Sequence, residues 1–280
     1  MNQPEYHDLF DYSPIVDRPP LRWPEGAHVA VWVVPNIEHY HQRTSEGGID
    51  VRLVGPTEYG NRVGIWRLME VLDRYGVRGT VALNASVCQF FPRIIEEALK
   101  RNWELMGHGL TGGMLTSLTA EEERATIFET AAIIERVAGA RPRGWLGPAL
   151  VESSRTLGLL CEAGIEYVCD WVNDDQPYRM RNGLYSIPYT LELNDRPVFA
   201  TAGHAPAVFG DMICDAFDHL YREGEDQGRV MCIALHPYLI GTPNRIGALE
   251  RALAYIRSHP HVWVTTGAEI IDWYRQGEHA

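Results

Sequence analysis

Basic charge is scarce in this chain. Its 280 residues carry 25 Lys and Arg against 37 Asp and Glu, a formal charge of −12. That balance argues against nucleic acid or an anionic membrane as the partner, since either favours a basic face. Cysteine is sparse too. Cys88, Cys161, Cys169, Cys214 and Cys232 include no CxxC pair and lie mostly in apolar stretches such as "YVCDW" and "VMCIALH". An odd, scattered set fits reduced thiols of a cytoplasmic protein better than a disulfide framework, and a zinc–thiolate site needs closer spacing. No apolar run approaches the roughly 20 residues that cross a bilayer. The first twenty residues have neither a basic n-region nor an apolar h-region, so no secretory signal is expected. GxGxxG and GxxxxGK[ST] are both missing, which leaves a dinucleotide or P-loop reading without support.

What is present is a regular alternation. Residues 1–26 are rich in Pro, Asp and Tyr and read as an extended N-terminal arm, one that leaves a homo-oligomer open. From residue 27 to 280 the chain reads as one domain. "HVAVWVVP" is a near-continuous apolar run, as expected of a strand buried on both faces. A polar loop is expected over 37–57. Ile65, Leu68, Met69 and Leu72 then mark the apolar stripe of a helix. The pattern continues through "GTVALN", "PRIIEEALKRN", "WELMGHG" and a helix opened by Thr119 and Glu122 in capping-box spacing. Next come "RGWLGP", "SSRTLGLLCEAG" and "EYVCDW". Strands and loops are expected over 177–210 ("GLYSIPYT", "RPVFATAGH"). A helix near 211–224, "RVMCIALHP", a helix near 246–258, "VWVTT" and "AEIIDWYRQ" follow. About seven strand–helix units without a break in composition predict an α/β fold, a single distorted (β/α) barrel of about seven parallel strands.

Chemistry in such barrels sits at the carboxyl ends of the strands. Read in turn, those ends carry Asn36 and Glu38, Asn84, His108, Trp145 with Pro148, Asp170 leading through Trp171 to Asp174 and Asp175, and His236. Each has a plain structural reading. His108 can be a helix cap or a satisfied core histidine, and Asp174 and Asp175 can be turn residues before a proline. His236 ends an apolar strand, where an idle polar group is costly to bury. The convergence, rather than any one residue, points to a site. His39, His41 and His204 are left without a role.

These strand ends resemble the polysaccharide deacetylase family, the NodB homology domain. "ELMGHGLTGG" is similar to its His-box, "GWLGP" to its Arg-x-Pro loop, "IALHP" to its C-terminal Leu-His motif, and "VPNIEHY" stands where its Asp-Asp motif falls. "DDQPY" and "LHPYLIGTPNR" with "VWVTT" most resemble the branch containing metal-independent allantoinase. The resemblance implies a divalent metal held by one carboxylate and two histidines spaced H-x-x-x-H. Here the carboxylate corresponds to Glu38 and the first histidine to His108, but the second position is Gly112. The family's catalytic aspartate is replaced by Asn36 and its loop arginine by Leu146. With two protein ligands at most, Glu38 and His108, no tight zinc site is expected and any divalent metal is held weakly.

The resulting expectation is a hydrolase of a non-peptide C–N bond (amide, imide or ureide) in a small polar molecule. Glu38 and His108 are assigned to activating water and His236 to general acid catalysis. Asn36, Trp145, Pro148, Trp171, Asp174 and Asp175 are expected to bind substrate. Two alternatives stand beside it. One is a metal-dependent deacetylase of an N-acetylated sugar, which needs a third ligand such as His39, His41 or His204. The other is a non-catalytic binding protein on a decayed deacetylase scaffold.

Overall fold

The computed structural model describes residues 8–40 and 47–277. Its centre is a curled sheet. The strands are β1 (Val29–Ile37), β2 (Thr80–Leu83), β3 (Glu104–Gly107), β4 (Gly144–Trp145), β5 (Tyr167–Val168), β6 (Tyr178–Arg179), β7 (Tyr185–Ser186), β8 (Arg229–Leu235) and β9 (Val262–Thr265). They run in the order β6-β7-β5-β4-β3-β2-β1-β8, and β9 also pairs with β1. Every pairing is parallel except the short β6–β7 ribbon.

The long strand β1 organises the rest. One edge is taken by β8 from Val29 to Pro35. The other is shared, with β9 along Val29–Trp32 and β2 at Asn36 and Ile37. The free edge of β8 meets irregular chain, where Val230 donates to Asp175 O and Ala234 to Leu193 O. The result is a half-barrel closed by loops rather than by a further strand.

Side chains alternate across this sheet with the period of two that a strand imposes. Val29, Val31 and Val33 of β1, Val81 and Leu83 of β2, and Met231, Ile233 and Leu235 of β8 pack outward, against the helices. Ala30, Trp32, Val34, Ala82, Met106, Leu146, Cys169, Val230, Cys232 and Ala234 pack inward into one interior core. Continued one step beyond these cores, the inward phase brings Asn36, Asn84, His108 and His236 to the interior at the strands' carboxyl ends. The alternation that builds the core also delivers the polar groups.

The outer layer holds α1 (Val51–Tyr59), α2 (Ile65–Arg74), α3 (Ser86–Phe90), α4 (Pro92–Lys100), α5 (Ala120–Ala138), α6 (Thr156–Glu162), α7 (Pro206–Glu223), α8 (Ile246–Arg257) and α9 (Gly267–Gly277). Ile65, Leu68, Met69 and Leu72 are all buried on α2, as their spacing predicts. Thr119 and Glu122 form the reciprocal capping box that starts α5, and Gly139 ends it in the left-handed conformation.

Two local expectations are corrected. The loop expected to run to residue 57 gives way to α1 at Val51, because the Asp50 side chain caps the Arg52 N–H and starts a helix. "RPVFATAGH" is not a strand. Pro197 begins a single wide helical turn to Thr201, with Val198 and Phe199 buried beneath it.

Candidate active site

Glu38, His108 and His236 meet at the barrel mouth, each at most 6% exposed. The Glu38 carboxylate stands between the two imidazoles. His108 Nε2 lies 3.5 Å from Oε1, and His236 Nε2 lies 3.7 Å from Oε2. Both separations exceed a direct hydrogen bond. The other ring nitrogens are committed. His108 Nδ1 faces Leu146 O at 2.7 Å, and a carbonyl can only accept, so Nδ1 carries the proton. His236 Nδ1 lies 2.7 Å from Asp195 Oδ1. The same buried carboxylate accepts from the backbone N–H groups of His236 and Ile240, which locks it in place. Each imidazole therefore turns Nε2 toward Glu38.

Tyr40 completes the first ring of contacts. Its hydroxyl donates to Glu38 Oε1 at 2.6 Å and accepts from Arg196 Nη1 at 3.0 Å. Arg196 Nη1 is itself 4.0 Å from Glu38 Oε1, and this half-exposed side chain brings positive charge to the mouth. Glu38 Oε2 is buried without a hydrogen-bond partner among the described residues. An acceptor in that condition is unusual in a folded interior and suits a ligand or water donor.

The charges set the protonation states. Burial opposes ionisation of Glu38, but the His108 contact, the charge of His236 and the Tyr40 hydroxyl outweigh it and hold the carboxyl down to about 2. Burial likewise works against a charged His236, yet Asp195, with help from Glu38, raises it above the ordinary imidazole value. Burial and the Glu38 charge push Tyr40 up, so it stays a neutral donor.

The metal implied by the family resemblance does not fit these residues. Position 112 supplies no ligand, and its space is taken: a Cβ there would lie 2.1 Å from Tyr40 Cε1. The Tyr40 ring fills the room that a histidine would need, and its hydroxyl already engages Glu38. His236, the next imidazole in reach, has Nδ1 committed to Asp195 and turns only Nε2 toward the mouth. Among the described residues no three His, Cys, Asp or Glu groups are disposed to hold a metal ion. His39 is tilted against Phe90 and edge-on to Phe91, with Nδ1 on Ser86 Oγ. His204 is exposed, and His41 lies outside the described residues.

The residues expected to bind substrate are dispersed. Asn36 is buried at the base of the site, where its amide donates to Val34 O and the Tyr189 hydroxyl. Trp145 faces away from the mouth. It belongs to the outward phase of β4 and packs with Leu115, Ile127 and Leu160 beneath the helices. Pro148 is buried against Gly109. Trp171 stands edge-on to Phe10, 5.1 Å between centroids. Asp174 is bound by Arg18 of the N-terminal segment, with Nη1 to Oδ1 at 2.8 Å and Nη2 to Oδ2 at 2.5 Å. Asp174 and Asp175 line a different cavity, of about 940 Å³, between that segment, residues 173–178 and α9. Glu38, His108 and His236 are not among its lining residues.

Asp195, Tyr40 and Arg196 were missed. Tyr40 had a signal, since it follows Glu38 by two residues and shares its face. Asp195, in "LNDRP", had none: its role comes from a return of the chain to β8 that the local sequence does not announce.

Residues 56–168 match the polysaccharide deacetylase family, a span that contains His108 and the 144–148 loop. A Schizosaccharomyces pombe protein provisionally named a polysaccharide deacetylase is 27% identical, with 89% of this chain and 90% of that protein aligned. The crystal structure of PuuE allantoinase is 28% identical and superposes with a TM-score of 0.87, covering 95% of this chain and 98% of that one. A Pseudomonas aeruginosa PAO1 structure, again provisionally named a polysaccharide deacetylase, is 29% identical with a TM-score of 0.86, covering 93% and 95%. Strand ends, fold and relatives agree in what they resemble: the chain is similar to the polysaccharide deacetylase family over residues 56–168 and to its solved relatives over nearly its whole length.

Proposed function

We propose that this protein hydrolyses a carbon–nitrogen bond of a small polar molecule, an amide, imide or ureide. The observation that carries the reading is the Glu38 carboxylate held between two Nε2 atoms, with its buried Oε2 unpartnered. The names of the relatives, deacetylases and an allantoinase, support the same bond type.

The chemistry follows from the tautomers. Water is oriented at Glu38 Oε2 and gives its proton to His108 Nε2 or Glu38 as its oxygen attacks the carbonyl carbon. Negative charge then gathers on the carbonyl oxygen, where the Arg196 guanidinium at the mouth can stabilise it. His236 Nε2 passes its proton to the nitrogen as the C–N bond breaks, and Asp195 holds the imidazolium until it does. Tyr40 in the space beside Gly112 favours this route over a metal-dependent deacetylase. The five unpaired cysteines, three of them buried, support a cytoplasmic setting.

The test is substitution of the acid and the central carboxylate. His236→Ala and Glu38→Gln should each lower turnover by about 10² or more with the fold retained. Near-wild-type turnover in a folded variant removes that residue from the mechanism.

A further inference from the structure

A second pair of carboxyl groups lies behind His108, outside the ring of contacts around Glu38. Asp170 follows β5, and Oδ1 accepts from Gly147 N at 2.6 Å. Gly147 N–H belongs to the same peptide group as Leu146 C=O, the acceptor for His108 Nδ1. One peptide therefore joins His108 on one side to Asp170 on the other. The junction tolerates no side chain, because a Cβ on Gly147 would stand 2.7 Å from Asp170 Oδ2.

The chain then makes a tight turn in which Ala149 (φ 60°) and Leu150 (φ 55°) both adopt the left-handed conformation, rare for residues with a Cβ. That turn returns the Glu152 carboxyl to the side of Asp170. Asp170 Oδ2 and Glu152 Oε1 are both buried without a hydrogen-bond partner among the described residues. Two ionised carboxylates cannot share such a contact, whereas one proton between them satisfies both oxygens at once.

We propose that Glu152 and Asp170 share one proton at neutral pH and, through the 146–147 peptide, serve as positioning residues for His108. This rests on the hydrolytic reading for its purpose but not for its structure. The groups facing the pair are His108 across the peptide, Trp171 and Tyr178 beside Glu152, and Cys169 next to Asp170. None is a permanent cation that would let both carboxyls ionise. Burial pushes both carboxyls above the ordinary carboxylate range. An acid pair of fixed total charge holds the peptide dipole, and so the His108 Nδ1–H, in one orientation.

The test needs no substrate. Infrared spectra of the full-length protein at neutral pH should show a protonated carboxyl band that Glu152→Gln abolishes. The His108 imidazole resonance, assigned against His108→Gln, should shift in Glu152→Ala and return toward its original position in Glu152→Gln, which restores a donor to Asp170. Turnover should fall about tenfold in the alanine variant, the scale for loss of an orienting partner, and recover in the glutamine variant. Absence of a protonated carboxyl band, or an unmoved His108 resonance in folded Glu152→Ala, overturns the proposal. Should the alanine variant fail to fold, the band and its loss in Glu152→Gln still decide. Both spectra are taken on the resting protein, so they stand or fall separately from the assignment of the reaction.

Discussion

The Tyr40 ring occupies the space that any side chain at Gly112 would enter, with the virtual Cβ 2.1 Å from Cε1. Position 112 is where the family resemblance implies a second histidine, and the ring that replaces it donates to Glu38. A ligand has been exchanged for a hydrogen-bond donor. The carboxylate is still held, but by a phenol.

Gly112→Ala should therefore do more than crowd the loop. Tyr40 must swing away, which breaks its bond to Glu38, so both stability and turnover should drop. Overpacking of this kind costs about 1–3 kcal/mol. Combining Gly112→Ala with Tyr40→Ala should cost less stability than the sum of the two single changes, as expected for residues in contact. Chemical denaturation of the four proteins measures this, and strict additivity would show that the two residues do not interlock.

The pH profile should report His236 on its alkaline side. The raised folded value means that the acid form persists above the ordinary imidazole value of about 6.5, and activity declines only as pH passes that raised value. Asp195→Asn removes the charge that raises it while burial remains, so the alkaline limb should move to lower pH. Stability follows the same sign: the contribution of the His236–Asp195 pair is complete below the unfolded value and is lost as pH rises through the folded one. Glu38, held at about 2, stays ionised through the working range and adds no limb near neutrality. An alkaline limb unchanged in Asp195→Asn would assign it to another group.

Asp174→Asn should behave as a structural variant. Its carboxylate grips Arg18, and both side chains are less than a fifth exposed. A hydrogen bond to a charged group contributes about 1.5–3 kcal/mol, and its loss should free the N-terminal segment to proteolysis. Arg18→Met should match it, and the double variant should add little. A rise in KM without change in protease sensitivity would return Asp174 to the substrate.

How far the sequence could be read depended on range. Strand–helix alternation, the α2 stripe and the α5 capping box follow from spacing within one element, and the structure has them where the spacing puts them. Glu38, His108 and His236 were legible because a polar residue ending an apolar strand is conspicuous. Trp145 was misplaced by a single step of the pleat: it ends β4 in the outward phase, while its neighbour Leu146 points in. Asp195 and the Glu152–Asp170 pair were not legible as partners because tertiary returns of the chain, not local pattern, bring them to His236 and to the 146–147 peptide.

The central claim is hydrolysis by Glu38, His108 and His236 without a tightly held metal. Its most direct test is turnover across allantoin, hydantoins, cyclic imides, ureido acids and N-acetyl sugars, measured before and after dialysis against chelator, with zinc content determined on the same preparation. The account predicts hydrolysis of an amide, imide or ureide in the panel, well under one equivalent of zinc, activity that survives chelation, and a loss of about 10²-fold in His236→Ala. Near-stoichiometric zinc, with activity lost on chelation and restored by zinc, would contradict it and make Glu38 and His108 ligands.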